Sequence, residues 1–426
     1  MAAGNDPVPK GYVELEEERD PFLECLVELE EAAHRLELED WVVHRLKHPE
    51  REVTVHLPLA RDNGQAVTFT GFRVLHSSVR GPALGVVRFS RHASLSLVKA
   101  LAVHTTWQCA LLDLPLGGSA GAVVCHPEEL TERELRELAR DYIYGLRGTI
   151  GAFTDVVIPD SGSNPQIAAW MFASYTRLAG HMELSVITGK PGVLGGLPSS
   201  ADAMGKGLKI VLEEVLAERK MSLEGLRVAI QGFGRVGSSV ARLLHDAGAT
   251  IIALADISGG LRNEQGLSIP LLETWVRRHG VLYGYSEAEA VSNAEVLECD
   301  CDVLIPAAVE RQITVQNAGR IHAPIVMEAA RGPTTLAADQ VLSSRGVLVV
   351  PEMLANGGAI LAAFEEWVQG VRFTSLPSEE MEQSLKARLQ HAYHFVRTAA
   401  HHAGCDLRAA AHEVAIGRVA SALRLR

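Results

Sequence analysis

A chain of 426 residues exceeds the roughly 250–300 residues at which one hydrophobic core stops growing, so two domains are expected. Its composition, 47% hydrophobic and 22% charged, is that of a soluble folded protein. A net charge of -12 argues against a nucleic-acid partner, since phosphate-backbone binders need clustered Lys and Arg.

The N-terminal "MAAGNDPVPKGYVELEEERD" lacks a basic segment followed by an apolar one, and no long uncharged apolar run follows. The expectation is therefore no membrane partner and a cytoplasmic address. The six cysteines, at 25, 109, 125, 299, 301 and 405, show no paired C-x-x-C, so free thiols and no metal site are expected. Cys299 and Cys301 read as a strand approach. The C-terminal histidines 391, 394, 401, 402 and 412 read as solvated helix residues.

In chain order, "FLECLVELEEAAHRL" places Leu23, Leu26, Leu29 and Ala33 at helical spacing. "REVTVHLPL" and "QAVTFTGFRVLHSS" alternate apolar and polar residues around Asp62-Asn63-Gly64, which predicts a hairpin in a mixed sheet. A helix over 95–112 precedes "LPLGGSAGAVV", which reads as a glycine-rich turn. A helix through "TERELRELARDYIYGLRG" and a short strand "TDVVIP" ending at Asp160 follow.

"LRVAIQGFGRVGSSVARLLHDAGATIIALAD" reads as buried strand, glycine turn, amphipathic helix and second strand. "CDVLIPAA", "APIVMEAA" and "GVLVVP" then predict parallel strands buried on both faces, and the last ~50 residues are helical by period. The fold class expected is α/β: an N-terminal α/β domain with a mixed sheet, and a C-terminal Rossmann-type dinucleotide-binding domain, with a cleft between them. The glycine-, proline- and serine-rich "LGGLPSS" sets the boundary, giving 1–194, with helices of 372–426 packing back onto it, and 195–371.

Gly232, Gly234 and Gly237 form G-x-G-x-x-G between a predicted strand and helix, with Asp256 ending the next strand. The first glycine serves the tight turn, the second lets a pyrophosphate approach, and the third lets helix and strand pack. The helix start, with Arg235 and Val236, offers N–H groups to the anion, while Asp256 suits a ribose 2′-hydroxyl. NAD is thus expected as the cofactor, with NADP left open. Arg235 reads equally as a phosphate contact or a surface residue.

"LPLGGSAGAV", "TDVVIPDSGS", "VITGKPGVLGG", "VAIQGFGRVGSSVA", "CDVLIPAAVERQIT", "RGPTT" and "VLVVPEMLANGGAI", in this order, resemble the glutamate/leucine/phenylalanine/valine dehydrogenase family. The resemblance is nearest to hexameric glutamate dehydrogenases. It implies oxidative deamination of an amino acid, with hydride passing to NAD(P). A lysine in the glycine segment would activate water, an aspartate would shuttle protons, and two further lysines and a serine would hold carboxylates.

Here the residues depart from the pattern. The family's P-x-G-G-A-K-G-G reads "PLGGSAGA", which puts Ala120 at the catalytic lysine. Leu84 in "GPALGV" and Gln108 in "TTWQCA" stand at the other lysines, and Ala363 at the serine. In "SSADAMG", Ser200 and Met204 replace an arginine and a threonine; Arg331 and Arg235 replace asparagines. Asp160, Lys190 and Asn356 are retained.

Without its lysine, Asp160 reads as a relic satisfied by backbone N–H groups; Asn356 as a helix cap or ligand contact; Lys190 as an anion or subunit contact. Leu84, Gln108, Ala120, Asp160, Arg331 and Ala363 then outline a substrate or effector pocket. The function expected is a catalytically inactive regulatory subunit that assembles with a catalytic glutamate dehydrogenase paralogue in a hetero-hexamer and binds a small apolar amino-acid effector. Two alternatives stand beside it: an active dehydrogenase with an altered substrate, and a nucleotide-sensing binding protein.

Overall fold

The computed structural model describes residues 20–197, 202–375 and 377–426. These divide into two units. The first draws on Asp20–Ala201, Ile360–Ser384 and His412–Arg426, the second on Asp202–Ala359 and Leu385–Ala411. The sequence predicts that all of 372–426 packs against the N-terminal domain; in the structure, 385–411 groups with the second unit.

The first unit is built on β1 (Arg51–Ala60), β2 (Ala66–Ser77), β3 (Ala83–Phe89), β4 (Gly117–Val124) and β5 (Asp155–Pro159), in the order β1-β2-β4-β3-β5. β1–β2 and β2–β4 are antiparallel, while β3 runs parallel to β4 and β5, giving the mixed sheet expected. Because successive strand residues face opposite ways, Val86 and Val87 serve different cores. Val86 joins Val74, Ala120 and Ala122 against Val98, Leu101 and Ala102 of the helix Leu95–Leu111. Val87 joins Leu138 and Tyr142 of the helix Glu132–Gly145, and Met171 and Phe172 of the helix Pro165–Ala179.

The segment predicted as a glycine turn is instead the middle strand of this sheet. Gly117, Gly118 and Gly121 all lack the positive φ of a turn glycine. Their smallness serves packing. A Cβ on Gly118 would collide with the Thr106 backbone nitrogen of the helix on one face, and a Cβ on Gly121 with the Tyr142 hydroxyl on the other.

The first helix, Pro21–Arg35, forms as predicted but buries Cys25, Leu29, Ala32 and Ala33, leaving Leu23 exposed. Asp20 caps it, accepting from the Phe22 and Leu23 N–H groups.

In the second unit, β6 (Arg227–Gln231), β7 (Thr250–Asp256), β8 (Gly259–Arg262), β9 (Glu289–Val291), β10 (Val303–Pro306), β11 (Ile325–Met327) and β12 (Leu348–Val350) form one sheet in the order β12-β11-β10-β6-β7-β8-β9. The five strands from β12 to β7 are parallel, and β8 and β9 are antiparallel additions. Chain order reverses between β10 and β6, the switch point at which open α/β sheets receive ligands. Among the described residues no helix is long and apolar enough to cross a membrane.

Candidate functional site

In the first unit, register brings the substrate-type positions to one face. Leu84 pairs with Gly118 and Val86 with Ala120 across β3 and β4, so Leu84 and Ala120 face the same way as the position where Gly118 meets Thr106 of the helix Leu95–Leu111. That helix carries Gln108. Leu84 and Ala120 are fully buried, Gln108 nearly so, and Ala363 is buried on the helix Gly357–Arg372. Ala120 lies in an apolar cluster with Val74, Val86, Val98 and Leu101.

On the opposite face of β4, Ser119 belongs to a buried polar bolt. Arg73 Nε donates to Asp155 Oδ2 at 2.8 Å, and its Nη2 reaches both Ser119 Oγ at 2.8 Å and Asp155 Oδ1 at 2.5 Å. This network, which the sequence motifs do not reveal, ties β2, β4 and β5 together and pairs the buried Arg73 charge with Asp155.

Asp160 follows β5. Its backbone N–H donates to the Val87 carbonyl at 3.1 Å, which fixes the chain as it leaves the strand. Its carboxylate also accepts from a side chain: Arg88 Nε donates to Asp160 Oδ2 at 2.8 Å. Arg88 shares a face of β3 with Leu84 and Val86, so the cation reaches Asp160 from the substrate-type face. Sequence reasoning missed Arg88. The signal available was the even spacing 84, 86, 88 on one strand.

Lys190, read from the sequence as an anion or subunit contact, is buried and paired within the first unit. Its Nζ lies 2.7 Å from Glu366 Oε1, with both side chains buried, and also donates to the Leu184 and Ile187 carbonyls. Glu366 in turn accepts from the N–H groups of Gly189 at 3.0 Å and Leu197 at 3.3 Å. The pair fastens the loop after residue 187 to the helix Gly357–Arg372.

In the second unit, Gly232 and Gly237 sit where a side chain would clash and Gly234 faces open space. Gly232 has φ +105, and a Cβ there would lie 2.8 Å from the Ala307 carbonyl beyond β10. A Cβ on Gly237 would collide with the Gly232 carbonyl, whereas one on Gly234 would meet open space. That open side is where a pyrophosphate would approach the start of the helix Arg235–Asp246. Gly234 and Arg235 are exposed, and Val236 is half-buried.

Asp256 is engaged already. Its Oδ1 accepts from the Ser258 N–H at 2.7 Å and hydroxyl at 2.5 Å, and its Oδ2 from the Leu282 N–H at 2.7 Å. A carboxylate has about four acceptor positions, so one remains for a ribose hydroxyl. Asn356 caps the C-terminus of the helix Glu352–Ala355, and its Nδ2 donates to the Ala330 carbonyl at 3.5 Å. Its Oδ1 is buried without a partner among the described residues, as is Nη1 of Arg331. An acceptor and a donor left open beside Ala330 fit a polar ligand that supplies the missing bonds. The residues present therefore suit a dinucleotide.

Met204 lies in the first turn of the helix Ala203–Glu218, and Ser200 lies outside the described residues. All six cysteines are free thiols. His391, His394, His401 and His402 are exposed, as expected. His412 is not: the helix Leu407–Arg424 turns it inward, and it is 5% exposed.

Residues 195–426 match the family described as Glutamate/Leucine/Phenylalanine/Valine dehydrogenase, and residues 49–177 its dimerisation domain. The chain is 40% identical over 411 residues to a glutamate dehydrogenase of Halobacterium salinarum, covering 96% of this chain and 99% of that one. It is 38% identical over 406 residues to the catabolic NAD-specific glutamate dehydrogenase of Bacillus subtilis, covering 95% of each. The solved hetero-hexameric glutamate dehydrogenase of Thermus thermophilus in its leucine-bound form superposes with a TM-score of 0.91 at 33% identity, covering 96% of this chain and 98% of that one.

Proposed function

This chain belongs to the Glutamate/Leucine/Phenylalanine/Valine dehydrogenase family, and we propose that within it the chain is a non-catalytic subunit that joins a catalytic glutamate dehydrogenase paralogue in a mixed hexamer and tunes it. The observation that carries this reading is Ala120: a methyl group in an apolar cluster stands where the family's resemblance places the base. One general acid–base group supplies ~10²–10⁴ in rate. Leu84 and Gln108 remove the two cations that would hold a dicarboxylate, and Arg88 occupies Asp160.

The same substitutions suit a small apolar amino acid as an effector, because Leu84 and Ala363 offer hydrocarbon in place of a cation and a hydroxyl. The likeness to a hetero-hexamer solved with leucine supports both the mixed assembly and the effector class. NAD would be held by the glycine segment, with Arg331 and Asn356 supplying a donor and an acceptor. Nicotinamide accepts hydride when bound; with no base at position 120, the dinucleotide here acts as a ligand.

The test is to purify the chain alone and with the paralogue, and to follow NADH formation from glutamate while titrating leucine. The proposal expects no turnover alone, a stable mixed oligomer, and a leucine response that this chain alters. Turnover by the chain alone, at the rate of an ordinary dehydrogenase, would instead establish the altered-substrate enzyme. Failure to associate would leave the nucleotide-binding protein.

A further inference from the structure

Three helices bring a thiol, a carboxylate and two imidazoles together within the first unit. Cys25 and Glu28 are three residues apart on the helix Pro21–Arg35 and so share a face. Cys25 Sγ lies 3.4 Å from Nε2 of His104, on the helix Leu95–Leu111. One ligand atom from each of Cys25, Glu28 and His104 falls within 4.8 Å of the others. From the helix Leu407–Arg424, His412 Nε2 comes within 3.5 Å of Glu28 Oε2.

We propose that this cluster is a zinc site with Cys25, Glu28, His104 and His412 as its ligands. Tetrahedral zinc takes sulfur at about 2.3 Å and nitrogen or oxygen at about 2.0–2.2 Å, which sets neighbouring ligand atoms roughly 3.3–3.6 Å apart. The Cys25–His104 and Glu28–His412 separations, 3.4 Å and 3.5 Å, are two such edges. The other separations among Cys25, Glu28 and His104 lie within 4.8 Å, and His412 joins the group through Glu28.

The charges also balance. A thiolate and a carboxylate neutralise the dication and two neutral imidazoles complete the shell, so the complex carries no net charge into a site where Cys25 is 2% exposed. Sulfur and nitrogen donors select zinc over magnesium or calcium, which take oxygen shells. On binding, the Cys25 S–H bond gives way to S–Zn and the proton leaves to solvent, with no change of oxidation state. The metal would pin the first and last helices to the helix that carries Gln108, one turn beyond His104.

The experiment uses the full chain, reduced and free of affinity tags, loaded with zinc and dialysed before metal is counted per chain. One zinc per chain is expected, together with a sulfur-to-metal charge-transfer band when cobalt replaces zinc. Cys25→Ser should abolish that band and weaken zinc binding by about tenfold or more. Should Cys25→Ser fail to fold, Glu28→Gln carries the comparison: zinc raises the melting temperature of the parent chain and not of this variant. No zinc above background in the reduced parent would overturn the assignment, as would equal zinc retention and stabilisation in the parent and the variant.

Discussion

The Arg88 guanidinium holds the Asp160 carboxylate at 2.8 Å, with the two side chains 11% and 21% exposed. An aspartate so engaged works as a fastening between β3 and the end of β5. Under the proposed function, Asp160→Asn should change neither the turnover of the isolated chain nor any leucine response of the mixed assembly. Stability should fall by about 1 kcal/mol, since the pair is partly screened by water. Urea unfolding and the coupled assay check the two halves.

Lys190 and Glu366 sit at the other extreme, both out of contact with water. Removing one partner strands the other charge, which costs about 3–5 kcal/mol. Lys190→Met is therefore expected to shift the unfolding midpoint far more than Asp160→Asn does. A shift no larger than that of Asp160→Asn would return Lys190 to a role in ligand binding.

Arg408 joins two buried carboxylates in the second unit, donating to Glu328 and Asp339 at 2.8 Å each. Burial pushes the Asp339 carboxyl up, against the pull of Arg408. Arg408→Ala should destabilise by about 3–5 kcal/mol, and the loss should shrink in acid, where Asp339 can bind a proton. Denaturant titrations of both proteins at neutral and acidic pH provide the measurement.

His76 is fully buried, and that burial lowers its pKa to about 4. Its Nε2 lies 2.9 Å from the Leu46 carbonyl and its Nδ1 2.8 Å from the Thr106 hydroxyl. In the unfolded chain the ring titrates near 6.5. Between these values the unfolded state binds more protons, so His76's contribution is complete above about pH 6.5 and fades as the pH falls toward 4. The whole effect is at most about 3 kcal/mol. His76→Gln should flatten the pH dependence of the urea midpoint across that window.

Some of this was legible because it is local. The strand, glycine turn, helix and second strand around Gly232 follow from hydrophobic runs and from glycine chemistry within about thirty residues. The β1–β2 hairpin follows from alternation and from Asp62-Asn63-Gly64. The alanine at position 120, where the resemblance places a lysine, needed only the motif in order. Periodicity also made the first helix legible, with Leu29 and Ala33 of the predicted stripe buried and Leu23 left outside.

By itself, then, the sequence determined the family and the two kinds of sheet, and it carries the Ala120 substitution on which the proposed function rests. Only the tertiary structure decided that "LPLGGSAGAVV" is a strand, because its glycines answer to Thr106 and Tyr142, which lie outside the segment. It alone paired Lys190 with a glutamate 176 residues away, and set Cys25 beside His104 across 79. Local pattern records which way a residue's own element faces. Partners for buried charges and metal ligands are chosen by packing between elements, and the spacing of one chain segment carries no trace of it.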